Sequence, residues 1–139
     1  MGYGSAHGTR YVEIYRNIIG DPVYDWCGIG IRGGAGVIFE NNIQGYKNPI
    51  LLILEWGTPE VYKKYYPAFE QIQELYIWEN QIQGGHSNPQ VDETGLGFIE
   101  ADRDYFTEPL SGYIPYEYPH PLARGGPLDT EPWLPIISP

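Results

Sequence analysis

Three segments of this chain repeat one another, and that repetition restricts the fold more than any other feature. Val12 to Gly20 (VEIYRNIIG), Val37 to Gly45 (VIFENNIQG) and Leu75 to Gly84 (LYIWENQIQG) each begin apolar-x-apolar, contain an Asn and place an Ile two positions before a Gly. A second motif alternates with the first: Gly28 to Arg32 (GIGIR), Ile50 to Glu55 (ILLILE) and Gly95 to Glu100 (GLGFIE). Val12 and Val37 are 25 residues apart and Val37 and Leu75 are 38 apart, so the second interval reads as one period with about a dozen residues inserted. Short alternating strands joined by Gly-rich corners, at a period near 25, describe rungs that bury apolar side chains only by stacking on one another. The expected fold is all-β: a parallel β-helix of about three rungs, a short solenoid.

Composition agrees. Gly (18) and Pro (13) are abundant, as are Tyr (13) and Trp (4), which argues against a helical bundle. The expected organisation is a flexible start at 1–10, rungs over 11–101 and a Pro- and aromatic-rich capping tail at 102–139. An insertion at 56–74 has room for one or two helical turns, because Thr58-Pro59-Glu60 supplies an N-cap, a proline at the first helical position and an acid in the first turn. Asn17, Asn42 and Asn80 occupy one corner of the aligned repeats and predict an internal ladder of side-chain amides.

Charge narrows the partners. A formal net charge of -10 removes the attraction that underlies nucleic-acid binding and binding to anionic lipid. The longest apolar run, Pro49 to Leu54, is far too short to span a bilayer as a helix, which needs about 20 residues. Cys27 is the sole cysteine, so it has no disulfide partner in the chain and no zinc spacing; it reads as buried filler.

The strings VEIYRNIIG, GIGIRGGAGVIFENNIQGY and ELYIWENQIQGG, followed by DYF and GYIPYEYPHPL, resemble the C-terminal rungs and closing tail of secreted right-handed parallel β-helix proteins of the pectate-lyase-like superfamily. The resemblance covers roughly Arg10 to Leu122 and implies a right-handed solenoid, an extracellular or cell-surface location and an encounter with carbohydrate. Fold alone does not assign activity, because the superfamily also contains adhesins and structural solenoids.

Catalytic strings are wanting. GIRGGAG lacks the lysine of a phosphate loop, there is no GxSxG, and the Asp-Asp and Gly-His-Gly strings of a polygalacturonase-like site are absent. No catalytic residue is assigned; an enzyme would be a polysaccharide lyase or glycoside hydrolase. Trp56, Tyr62, Tyr65, Tyr66 and Trp78 offer ring faces on which a sugar could stack. Glu100, Asp102 and Asp104 form the best oxygen cluster for calcium, the one cofactor considered. A solenoid starting on a bare rung at Tyr11 also exposes unpaired strands, so self-association through open ends, as oligomers or filaments, is the leading expectation, with polysaccharide the alternative partner.

Overall fold

A computed structural model describes residues 9–54, 66, 67 and 70–115. Ten strands are found: β1 (Tyr11–Tyr15), β2 (Ile18–Ile19), β3 (Cys27–Arg32), β4 (Gly34–Phe39), β5 (Asn42–Gln44), β6 (Asn48–Ile53), β7 (Ile72–Trp78), β8 (Gln81–Gln83), β9 (Gln90–Val91) and β10 (Tyr105–Phe106). They form three sheets of order β1-β4-β7-β10, β2-β5-β8 and β3-β6-β9, with every strand pairing parallel. The chain therefore visits the sheets in rotation. Three consecutive strands make one circuit, and each circuit lies in register on the one before.

Register places like on like. Ile14, Ile38 and Ile77 stack in the first sheet, and Ile19, Ile43 and Ile82 in the second. Ile31, Leu52 and Val91 stack in the third. Ile38, Ile43 and Leu52, on the middle circuit, are fully buried because they have a neighbour on both sides. Burying such a side chain is worth about 1.5–3 kcal/mol, and only stacking supplies that burial to strands two to seven residues long.

The corner between the first and second sheets is built the same way each time. Arg16, Glu40 and Glu79 all adopt left-handed backbone (φ 56, 51 and 51). Each precedes an asparagine: Asn17, Asn41 and Asn80. The side-chain Nδ2 of Asn17 donates to the carbonyl of Tyr15 at 2.9 Å, and that of Asn80 to the carbonyl of Trp78 at 3.1 Å, holding the bend closed.

Several expectations are corrected. The ladder runs through Asn41 rather than Asn42, 24 residues after Asn17 and 39 before Asn80. The third strand of the third sheet is Gln90–Val91, whereas Gly95 to Ile99 forms a turn closed by hydrogen bonds from Gly95 to Asp92 and from Ile99 to Gly95. Thr94 Oγ1 donates to Asp92 Oδ2 at 2.7 Å at its start, so local capping outcompetes pairing there. No helix occurs among the described residues; of the insertion expected at 56–74, 72–74 already belong to β7, while 56–65, 68 and 69 lie outside the described residues. The first sheet also continues beyond residue 101, since β10 pairs with Leu75 and Tyr76.

Candidate functional site

The first circuit supplies an edge strand to every sheet. β1, β2 and β3 are each the first strand of their sheet, with no further described strand beyond them, and the Thr9 N–H donates to the Arg32 carbonyl at 2.7 Å at the end of β3. The loop from β2 to β3 adds apolar surface on this circuit, with Val23 90% exposed, Tyr24 85% and Trp26 57%, and Ile18 of β2 is 82% exposed. Exposed large apolar side chains gathered on one circuit mark an interaction surface.

Polar groups on this face are directional. Asn41 Oδ1 accepts from the Nδ2 of Asn17 at 2.9 Å and from its backbone N–H at 3.1 Å. Asn80 Oδ1 accepts from the same two groups of Asn41, at 2.8 and 3.1 Å. Each circuit thus donates to the one after it. Asn17 Oδ1, at the outer end, accepts no hydrogen bond from any described residue.

The far end differs. β10 covers Leu75 and Tyr76, and the chain then leaves the third circuit. Tyr113 lies on the outside of the first sheet, edge-on to Phe39 and Trp78 with ring centres 5.8 and 6.2 Å away. Those rings belong to an aromatic column in which Tyr15, Phe39 and Trp78 stack at 4.8 and 4.4 Å. The Tyr113 hydroxyl is buried without a hydrogen bond of good geometry; burial, followed by the nearby charge of Glu13, pushes its pKa up to about 12.

Of the expected sugar-stacking residues, Trp56, Tyr62 and Tyr65 lie outside the described residues. Trp78 and Tyr66 are not brought together. Trp78 borders a cleft of about 160 Å³ whose walls include Glu79, Asn80, Ser87, Asn88 and Thr107. Tyr66 is engaged elsewhere: its hydroxyl donates to Asp104 Oδ1 at 2.6 Å and the Arg103 guanidinium sits 4.5 Å from its ring centre. The hydrogen bond to Asp104, then burial, raises the pKa of that hydroxyl.

Of the three residues expected to hold calcium, Asp104 and Glu100 are engaged with other partners. Asp104 is fully buried; besides Tyr66 it accepts from Arg103 Nη2 at 2.7 Å and from the backbone N–H of Glu100 at 2.8 Å. Glu100 pairs with Arg103 at 3.0 Å, and Asp102 is an exposed turn residue with φ 62. Among the described residues no group of three His, Cys, Asp or Glu is placed to hold a metal ion. Cys27 has its thiol pKa pushed up by burial, which keeps it protonated and unreactive.

Sequence reasoning missed Asn41, the Arg103–Asp104–Tyr66 clasp and the Ile18, Val23, Tyr24 and Trp26 face. The run Ile-Ile-Gly-Asp-Pro-Val-Tyr-Asp-Trp, from Ile18 to Trp26, is unusually apolar for a corner and was the available signal for that face. No family model, curated protein or solved structure matches the chain.

Proposed function

We propose that this chain is a structural module of a right-handed parallel β-helix, extracellular and pectate-lyase-like in type, whose first circuit is a docking face for another rung. One observation carries the proposal: among the described strands all three sheets begin together on the first circuit, which also carries exposed apolar side chains. The rotation of strands through three sheets supports the solenoid, and parallel crossovers are overwhelmingly right-handed. Stacking belongs to the first end. At the other end β10 occupies the first-sheet edge that a further full circuit would need, which argues against unlimited filament growth.

Repeating residues 10–33 once, ahead of the natural Arg10, tests this directly. The register offset of 24 residues makes that segment one full circuit. An added circuit on a genuine docking face raises the thermal midpoint and increases the strand signal in circular dichroism. An unchanged or lowered midpoint, with the added segment sensitive to protease, overturns the docking role.

Carbohydrate binding is the second reading, favoured by the cleft that Trp78 lines together with Glu79, Asn80, Ser87 and Asn88. Glycan-array binding that is lost in Trp78→Ala would support it, and no binding to any neutral glycan would remove it.

A further inference from the structure

The asparagine ladder reaches its last member at the cleft beside Trp78, and the groups it presents there specify a ligand. Along the ladder the backbone N–H of Asn17 meets a carboxamide oxygen of the next circuit, Asn41 Oδ1, and the N–H of Asn41 meets Asn80 Oδ1, each at 3.1 Å. Asn80 stands third in that series and borders the cleft. Its own N–H meets no acceptor among the described residues, and the repeat of the ladder aims it away from Asn41, towards the β10 end. The floor of the cleft is apolar, made by Ile50, Ile77 and Ile82. Ile82 is only half-buried although Ile43, its partner in the second sheet, is fully buried, so the cleft opens onto the end of an inward isoleucine stack.

We infer that this cleft takes the acetamido group of an N-acetylated hexosamine, its carbonyl oxygen accepting from the Asn80 N–H and its methyl resting on Ile77 and Ile82. The inference rests on the carbohydrate reading proposed above and names the class of sugar. An acetamido group supplies a carboxamide oxygen, the same acceptor that the two preceding N–H groups of the ladder use. Its four non-hydrogen atoms need the room of about four waters, at about 30 Å³ each, and the cleft offers about 160 Å³. A carboxylate in that place is disfavoured, because the lining holds Glu79 and no Lys, Arg or His, in a chain of net charge -10. The sugar ring stays at the mouth, where Glu79, Ser87, Asn88 and Thr107 are exposed and can exchange hydrogen bonds with its hydroxyls.

Nuclear magnetic resonance titration of the isotope-labelled full chain with N-acetylglucosamine, glucose and acetamide tests this. N-acetylglucosamine is expected to bind about tenfold tighter than glucose, which has a hydroxyl in place of the acetamido group, because it adds one hydrogen bond and one buried methyl. The Asn80 amide signal shifts with N-acetylglucosamine, and Thr107→Trp, which sets a bulky ring on the exposed rim, abolishes that shift. Equal affinity for the two sugars overturns the acetamido site and leaves carbohydrate binding standing. Binding that leaves the Asn80 amide unmoved, or that survives Thr107→Trp, overturns the placement in the cleft. Acetamide binding as tightly as N-acetylglucosamine overturns a sugar as the source of the group. Absence of binding to either sugar overturns the acetamido site alone if other neutral glycans still bind, and the carbohydrate reading with it if none does.

Discussion

Asn41 and Asn42 are neighbours in sequence and opposites in structure, so truncating each to alanine isolates the ladder. Asn41 is fully buried and its side chain takes part in four contacts: two donors of Asn17 reach its Oδ1, and its Nδ2 donates to the carbonyl of Ile14 at 3.0 Å and to Asn80 Oδ1 at 2.8 Å. In Asn41→Ala, the Asn17 groups at the outer edge regain water. The Ile14 carbonyl and the Asn80 carboxamide oxygen have less access to it. The Ile14 carbonyl loses its Asn41 donor while Asn80 Oδ1 keeps the Asn41 backbone N–H at 3.1 Å, so the loss is about 1–3 kcal/mol. Asn42 Oδ1 is buried with no partner, so Asn42→Ala removes an unsatisfied atom and is expected to fall within about 1 kcal/mol of the natural chain, on either side. Urea unfolding followed by tryptophan fluorescence separates the two through their midpoints at constant slope. A cost in Asn42→Ala equal to that in Asn41→Ala would refute the register on which the ladder rests.

Other perturbations are equally specific. Arg32 holds the fully buried Glu70 carboxylate through two nitrogens, with Nε at 2.8 Å, so Arg32→Ala is expected to cost about 3–5 kcal/mol, read as a fall in the urea midpoint. A Cβ on Gly36 would lie 2.0 Å from the Val12 carbonyl, whereas at Gly84 it meets nothing within 4 Å. Gly36→Ala should therefore cost at least about 3 kcal/mol and Gly84→Ala only the left-handed strain of about 1–2 kcal/mol, compared by thermal unfolding. The pKa of Tyr113 is raised to about 12, above the usual value near 10 of the unfolded chain, so the folded state keeps its proton longer. Stability present below pH 10 is then lost as pH climbs towards 12, and Tyr113→Phe should flatten that alkaline limb while leaving the pH 7 midpoint unchanged.

Sequence repetition revealed the layered strands but misjudged their register by one residue, for a local reason. The first corner reads Asn17-Ile18-Ile19-Gly20 and the second Asn41-Asn42-Ile43-Gln44-Gly45, so aligning the glycines pairs Asn17 with Asn42. Strand pairing instead aligns Ile14 with Ile38 and Ile19 with Ile43, leaving the extra residue at the corner. A slip of one residue would exchange the inward isoleucines for the aromatic column, and burial decides against it. Left-handed Arg16, Glu40 and Glu79 give no sequence signal, because that conformation ordinarily calls for Gly, Asn or Asp. Nor could spacing show that the acids near residue 100 serve Arg103, since the opposing Tyr66 lies 38 residues away from Asp104. The apolar pairs in GLGFIE looked like a strand, yet Leu96 is 64% exposed while Ile99 enters the core and Phe98 packs against it.

Tyr113 crosses the column of rings from outside, touching the second and third circuits and facing Glu13 of the first. It is joined to the first sheet side by side, through ring edges, whereas the strands are joined along their length by backbone hydrogen bonds. A pulling force applied at Pro115 reaches this crosswise strap before any ladder of strands bears load. In a single-molecule stretching experiment the strap should peel away at low force as a short first step, with the three sheets still wound, and the circuits should then unwind one after another from the β10 end.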